Sequence, residues 1–283
     1  MATGLSLHVG LNSVDPAQYD GWDGRLVACE NDAHDMARLA HQTGFDETVL
    51  LTLESTVENI TGELRAAAKR LRSGDIFLFT YSGHGGQVPN LDGSDEEPDE
   101  FDETLVFYDR QFLDDELYRE FGQFADGVRI LALHDSCHSG SGIEVRDVLT
   151  PEAMREQFQT SDPGQIENTS RLMPVVKQTQ IYERDKDFFQ ETQRKLGPKS
   201  GRKADTSALL ISACQDNQLA SDGPVNGKFT GTLLDVWDRG AFRGGYRAFH
   251  RDIQRNMPPT QSPNFFVTGQ PGARFLEQQP FTV

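Results

Sequence analysis

A histidine and a cysteine 53 positions apart are the residues whose surroundings most favour chemistry. His84 stands in the string Y-S-G-H-G at residues 81–85, and Cys137 stands in the string D-S-C-H-S-G at residues 135–140. An imidazole close to a thiol can take its proton and leave a nucleophilic thiolate. The pair therefore predicts a cysteine nucleophile with a histidine that acts as general acid and base.

Each string follows a strongly apolar run, I-F-L-F at residues 76–79 and V-R-I-L-A-L at residues 128–133. Such short runs are typical of buried parallel strands. In an open α/β sheet, chemistry takes place just outside the carboxyl ends of the strands. We therefore expect the sheet to bring His84 and Cys137 together, whereas a packing cysteine and a structural histidine would need no such pairing of strings.

His138 is a second candidate for the base, because it adjoins the nucleophile in sequence. Adjacent residues on a strand or a turn usually point apart, so we rank it well behind His84.

The two strings resemble those of the metacaspases, which are cysteine peptidases of the caspase-like superfamily, and the likeness covers residues 5–269. The resemblance implies a caspase-like three-layer α/β/α sandwich with a central, mostly parallel sheet. It implies a single peptidase domain over residues 1–283. Residues 1–144 would form the large-subunit-like part with both strings, residues 145–205 a linker, and residues 206–283 a small-subunit-like part that completes the sheet. The backbone amides of Gly85 and Cys137 would be the oxyanion donors.

Apolar periodicity and turn residues agree with an alternating α/β layout. A capping-box pattern at residues 55–58 predicts the start of a helix. The predicted strands cover residues 5–11, 48–52, 76–79, 104–108, 128–133, 207–213 and 264–268, and the predicted helices cover residues 31–41, 55–71, 114–121, 230–237 and 242–253.

Asp135 lies two residues before the nucleophile, and the period of two along a strand points it to the same side as Cys137. A carboxylate there would disfavour a thiolate, so its position needs a reason. The metacaspase resemblance gives one: Asp135 and Asp32, the last residue of a C-x-N-D string, would line the specificity pocket together with Cys29 and Ser82. Two carboxylates in a deep pocket select Arg or Lys before the scissile bond. The alternative is that Asp32 only decorates a helix start and Asp135 is a structural acceptor.

Residues 90–103 hold eight acidic side chains without the spacing of an EF-hand. Most charge runs are only solvated surface, but the metacaspase resemblance implies a calcium site here. It implies no organic cofactor. At one matching position this chain has Glu144, where the family more often has Asp. The candidate ligands are Asp99, Asp102, Asp114, Asp115 and Glu144.

Residues 145–205 carry eleven of the 27 basic residues and four prolines, with no sustained apolar periodicity, although the sequence allows short helices there. A long insert of this kind inside a compact domain needs a functional reason. We expect a polar, mobile loop that offers the enzyme its own preferred residues, so that self-cleavage follows. The alternative is an ordered cover on the sheet with no processing role. The candidate cleavage positions are Arg155, Arg171, Lys177, Arg184, Arg194 and Arg202.

The net charge of −17 argues against nucleic-acid and membrane partners and suits a cationic protein or peptide substrate. The first residues lack a basic leader, no apolar run reaches the length of a membrane span, and three cysteines without a C-x-x-C pair argue against a disulfide scaffold. These features predict a soluble, cytoplasmic monomer.

The combined interpretation is a cysteine endopeptidase that cleaves after Arg or Lys through an acyl-enzyme. One alternative is a catalytically inert caspase-like binding scaffold, which the intact His84 and Cys137 disfavour. A metal-dependent hydrolase is a further alternative, but the chain lacks H-x-x-x-H and H-E-x-x-H spacing.

Overall fold

A computed structural model of the chain describes residues 2–91, 101–137, 169–197, 208–215, 218–269 and 272–283. The strands are β1 (Gly4–Gly10), β2 (Phe45–Leu51), β3 (Ile76–Ser82), β4 (Gly85–Pro89), β5 (Phe101–Val106), β6 (Gln111–Leu113), β7 (Arg129–Asp135), β8 (Ala208–Ser212) and β9 (Asn264–Thr268). The α-helices are α1 (Cys29–Gln42), α2 (Val57–Arg70), α3 (Asp114–Phe121), α4 (Val175–Arg184), α5 (Lys186–Leu196), α6 (Lys228–Trp237), α7 (Tyr246–Asn256) and α8 (Ala273–Glu277). Within these ranges, every helix is too short or too polar to cross a membrane.

The main sheet has the strand order β2-β1-β3-β7-β8-β9. Its first five strands run parallel, and β9 pairs antiparallel with β8. Strands β4, β5 and β6 form a separate antiparallel sheet. The predicted fold class, a central and mostly parallel sheet, is confirmed.

Alternating side chains of the main sheet face two layers of helices, as the period of two along a strand requires. On β3, Leu78 packs into a core shared with α1, α6 and α7. Its neighbours Phe77 and Phe79 face the opposite way, into a core shared with α2 and α3. The described chain therefore forms three layers, helix on sheet on helix.

The register of the central strands brings the two strings that contain His84 and Cys137 to one edge of the sheet. Strand β3 ends at Ser82 and β7 ends at Asp135, and these two residues are paired in register. His84 and Cys137 each follow two residues later. The neighbouring strand β8 is parallel to β7, so the chain that leaves β8 reaches the same edge.

The capping box predicted at Ser55 is wrong by one residue. Helix α2 begins at Val57 with Thr56 as its N-cap, and the Thr56 side chain accepts the backbone N–H of Asn59 at 3.3 Å. The Ser55 hydroxyl instead donates to the carbonyl oxygen of Leu50. By contrast, α3 and β9 match their predicted bounds residue for residue.

Residues 169–197 of the insert are ordered, contrary to the mobile loop that the sequence indicated, and they contain two short helices. An extended stretch leads into α4 and α5, which bury Ile181, Tyr182 and Phe189. These side chains pack with Val88 and Val106 of the small sheet. This part of the insert is therefore an ordered cover on the small sheet, and its order does not decide whether the chain is processed there.

Candidate active site

His84 lies in the short turn between β3 and β4 and is held by its own backbone. Its carbonyl oxygen accepts the hydroxyl of Tyr81 at 2.7 Å and the N–H of Val106 at 3.0 Å. The imidazole is buried, and the Trp22 ring packs against it edge to face at 4.8 Å between centroids. The turn therefore holds the backbone of His84, and Trp22 packs against its ring.

The imidazole of His84 is neutral at neutral pH. Burial lowers its pKa to about 4, and hydrogen bonding to the carbonyl of Gly24 only partly opposes that effect. Nε2 lies 3.1 Å from the Gly24 carbonyl oxygen, which assigns the ring proton to Nε2. Nδ1 has no hydrogen-bond partner among the described residues, so its lone pair is available as a base.

Cys137 follows β7 directly and is fully buried. Its Sγ accepts the backbone N–H of Ala220 at 3.0 Å. Within the described chain, Cys137 and His84 share no hydrogen bond with each other. Hydrogen bonds between catalytic groups often form only when the reactive complex tightens, so the missing contact does not exclude a catalytic pair.

Gly85 lies against the backbone of Cys137. A Cβ at this position would stand 1.7 Å from the Cys137 carbonyl oxygen, so only glycine fits. The N–H groups of Gly85 and Cys137 both donate to one carbonyl oxygen, that of Arg171, at 2.9 and 3.3 Å. The two amides predicted as oxyanion donors thus converge on a single oxygen.

Residues 169–173 cross the site in an extended conformation. The carbonyl oxygen of Thr169 accepts the N–H of Asp222 at 2.7 Å, and the N–H of Arg171 donates to the carbonyl oxygen of Ala220 at 3.0 Å. On the other side of Arg171, the N–H of Met173 donates to the carbonyl oxygen of Gly85 at 2.8 Å. The segment is added to the site as a strand, which is how extended peptides commonly bind.

The Arg171 side chain fills a buried pocket and is 0% exposed. Its Nη2 lies 2.7 Å from Asp32 and 2.8 Å from Asp222, and its Nη1 lies 2.9 Å from Asp135. The Ser82 hydroxyl accepts from Nη1 at 2.8 Å and itself donates to Asp32 at 2.7 Å. The structure thus brings the predicted Asp32, Asp135 and Ser82 together around one guanidinium.

The predicted pocket carboxylates are held by backbone groups. Asp32 accepts the N–H of Gly227 at 3.0 Å, and Asp135 accepts both the N–H and the hydroxyl of Thr230. A Cβ at Gly227 would lie 2.4 Å from the guanidinium, so this glycine leaves the space that the cation occupies.

Burial sets the protonation of the pocket. It raises the pKa of Asp135 to about 6, against the lowering effect of Arg171 and with a further rise from Asp32. Cys29, the remaining predicted pocket residue, is buried close to Ser82, and burial raises the pKa of its thiol far above the ordinary range. The Cys29 thiol is therefore an uncharged group in the lining of the pocket.

Three of the five candidate calcium ligands lie in the described chain, and they do not form a metal site there. The described residues contain no group of three or more His, Cys, Asp or Glu side chains arranged for a metal ion. Asp102 accepts the side-chain amide of Gln193 at 2.8 Å, and Asp114 and Asp115 begin α3. Asp99 and Glu144 lie outside the described residues.

The other candidate cleavage positions differ sharply from Arg171. Lys177, Arg184 and Arg194 belong to α4 or α5, where the backbone is not extended. Arg155 and Arg202 lie outside the described residues, as does His138.

Two residues of the site were not foreseen, Trp22 beside the imidazole and Asp222 in the pocket. The rule that chemistry lies at strand ends would have directed attention to the chain that follows β8, which supplies Ala220 and Asp222. Nothing in the sequence around Trp22 signals its contact with His84.

A mostly parallel sheet with a cysteine and a histidine after adjacent strands defines a caspase-like cysteine peptidase fold. A family model described as the caspase domain matches residues 14–276. Because that match covers most of the chain, the chain belongs to the caspase-domain family of cysteine peptidases.

Individual relatives agree with this family. The chain is 29% identical over 262 residues to metacaspase-1A of Aspergillus clavatus, covering 81% of this chain and 56% of the relative. It is 27% identical to metacaspase-1 of Coccidioides immitis, covering 81% and 52%. The chain thus spans about half the length of the curated relatives it matches. The predicted resemblance to metacaspases is confirmed.

Solved structures give the same fold. A crystal structure of a Geobacter sulfurreducens protein has 45% identity and a TM-score of 0.84 and covers 99% of both chains. Caspase-1 of Spodoptera frugiperda has a TM-score of 0.55 at 13% identity, covers 95% of this chain and 86% of its own, and shows the shared fold alone.

Proposed function

We propose that this chain is a cysteine endopeptidase that cleaves after Arg or Lys, with Cys137 as nucleophile and His84 as general acid and base. One observation carries the proposal: Arg171 occupies the site in the pose of a substrate. Its guanidinium lies among buried carboxylates, and its carbonyl oxygen accepts the backbone N–H groups of Gly85 and Cys137.

The proposed reaction starts when His84 takes the thiol proton and Sγ of Cys137 attacks the carbonyl carbon. The C=O electron pair moves to the oxygen, where the N–H groups of Gly85 and Cys137 stabilise the charge. Collapse of this intermediate breaks the C–N bond, and His84 gives its proton to the departing amine. Water then hydrolyses the thioester and restores the thiol.

The same geometry makes Arg171–Leu172 the proposed self-cleavage bond. Among the candidate basic residues within the described chain, Arg171 alone pairs a buried side chain with an extended backbone on both sides of its carbonyl group. The backbone of Leu172 is also close enough to His84 to raise the pKa of the imidazole. That contact places Leu172, the residue after the proposed bond, beside the proposed acid.

An inert binding scaffold is the rival that the filled pocket also permits, since a scaffold could keep Arg171 in place without cutting. An electrophilic probe with an arginyl or lysyl group separates the two functions. We expect the probe to label Cys137 and to fail with Cys137→Ala.

We expect the peptidase to prefer basic residues because Asp32 and Asp135 lose a buried ion pair when no cation binds. With peptides that differ only before the scissile bond, Asp32→Ala or Asp135→Ala should reduce the preference for Arg over Gln by about 100-fold or more. Arg171 competes with both peptides for the pocket, so the ratio of their cleavage rates on one protein is independent of that competition. Asp46→Ala, on an exposed part of β2, is the control that should leave the preference unchanged. Preferential cleavage after Asp would contradict the pocket.

Calcium dependence is part of the proposal through the family resemblance alone, with Asp99 or Asp102, Asp114, Asp115 and Glu144 as the ligands. We expect millimolar calcium to accelerate peptide cleavage and Asp115→Ala to blunt that response. Equal rates in calcium and in chelator would show that the acids form only a solvated surface.

We further propose a cytoplasmic monomer that acts on basic protein segments and binds neither nucleic acid nor membranes. The net charge of −17 and the absence of disulfides from its three cysteines support this setting. Sedimentation of the purified protein at several concentrations tests the monomer.

A further inference from the structure

Asp222 is a third carboxylate in a pocket for which two would suffice. Its side chain is 2% exposed, and its Oδ1 lies 2.8 Å from Nη2 of Arg171. A third buried carboxylate adds desolvation and repulsion, and direct contact with the cation helps to offset both. Its presence therefore calls for a role that the other two do not fill.

The two ends of the guanidinium have separate partners. Nη1 donates to Ser82 and to the carbonyl oxygen of Asp135, and it lies against the Asp135 carboxylate. Nη2 donates to Asp32 and to Asp222. Nε has no hydrogen-bond partner among the described residues, so recognition rests on the two terminal nitrogens. Asp222 completes the acceptors at one of those two ends.

A lysine side chain cannot use this arrangement in full. Its ammonium is one point of charge, whereas a guanidinium is a planar fork with donors at two terminal positions. An ammonium placed near Asp135 leaves Asp222 without its cation. Asp222 cannot follow the smaller ligand, because its Oδ2 accepts the N–H of Val27 at 2.8 Å and its backbone pairs with Thr169.

We propose that Asp222 makes the pocket select Arg over Lys. This inference rests on the proposed peptidase function and narrows its substrate class to arginyl bonds. Asp32 and Asp135 give the preference for a basic residue, and Asp222 discriminates between the two basic residues.

Asp222→Asn is a sharp test because the amide cannot satisfy both neighbours. One carboxylate oxygen receives Nη2 of Arg171 and the other receives the N–H of Val27. In either orientation of an asparagine amide, its NH₂ group faces one of these donors. The backbone contact to Thr169 stays available, so the substitution changes the side-chain chemistry alone.

The first measurement uses two fluorogenic peptides that differ only by Arg or Lys before the scissile bond. We expect the wild type to favour the arginyl peptide in kcat/KM, and Asp222→Asn to reduce the Arg/Lys ratio by about 10- to 100-fold. The control is Asp35→Asn, which removes a charge linked to Asp32 through Asn226 but does not touch the guanidinium. An equal preference in the wild type, an unchanged ratio in Asp222→Asn, or the same fall in Asp35→Asn would overturn the inference.

The second measurement needs no catalysis. In Cys137→Ala, the chain stays whole, so its melting temperature reports on Arg171 in the pocket. Arg171→Lys should lower the melting temperature by about 5 °C with Asp222 present and by much less with Asp222→Asn. Equal losses in both backgrounds would overturn the selection of Arg by Asp222. If this difference between the two backgrounds appears but the wild type cleaves neither peptide, the Arg-selective pocket is supported and the proposed peptidase function fails.

Discussion

The wild-type chain is expected to cut itself after Arg171 and to give fragments of about 19 and 12.5 kDa, in proportion to 31.6 kDa over 283 residues. The smaller fragment should begin at Leu172. Cys137→Ala removes the nucleophile and should leave one uncut chain, and His84→Ala should lose nearly as much activity. The double variant should be no worse than Cys137→Ala, because nucleophile and base act as one unit. Gel electrophoresis and N-terminal sequencing measure all of these.

The controls for self-cleavage come from the insert itself. Arg171→Gln should stop the cut, whereas Arg194→Gln, in α5, should not. A small fragment with another N-terminus, or fragments that also appear with Cys137→Ala, would contradict cleavage at this bond by this site.

The two fragments should stay together after the cut. The larger one supplies β7 and the smaller one supplies β8, and these strands are paired along their length in one sheet. Helices α4 and α5 also remain packed on the small sheet through Ile181 and Phe189. Size exclusion should therefore show a single species until the protein is denatured.

The strands and helices that the sequence predicted best are those with unambiguous local signals. The apolar runs before His84 and Cys137 became β3 and β7, with the register that brings both strings to one edge. Helix α3 starts at its acidic first turn, as the macrodipole favours. The start of α2 was misplaced by one residue because Ser55 and Thr56 are both good N-caps and sequence alone does not rank them.

The insert escaped prediction because its apolar residues are few and serve tertiary contacts. Phe189 is the only residue of α5 that is fully buried, so the helix shows little apolar periodicity of its own. Arg171 was one of six equivalent basic candidates by sequence. Its distinction comes from contacts with residues far away in the chain, including Asp32, 139 positions earlier.

Only two of the three pocket carboxylates were predicted, because the third depends on contacts between distant parts of the chain. Asp32 and Asp135 lie in recognisable strings, and the resemblance named both. Asp222 lies in a polar loop without a motif, and it reaches the site only because β8 is added beside β7. A residue that reaches a site only because two strands are neighbours cannot be predicted until the strand order is known.

Replacing the buried cation should be costly to the fold. In the Cys137→Ala background, Arg171→Met leaves Asp32, Asp135 and Asp222 without their partner, and removing one side of a buried ion pair costs about 3–5 kcal/mol. We expect the melting temperature at neutral pH to fall by about 10 °C. Lys177→Met is the matched control, because its ion pair with Asp20 is partly exposed and contributes little.

The loss from Arg171→Met should depend on pH in a defined direction. With Arg171 in place, the pKa of Asp135 is raised from 3.8 to about 6. The guanidinium itself lowers that pKa, so its removal raises the pKa of Asp135 further. A carboxyl whose pKa is higher in the folded protein than in the unfolded chain penalises folding above the folded pKa, and the penalty fades as the pH falls towards the unfolded value. The gap in melting temperature between Cys137→Ala and the double variant should therefore narrow as the pH is lowered from about 8 to about 5. A gap that stays constant or widens on acidification would contradict the raised pKa of Asp135 beside Arg171.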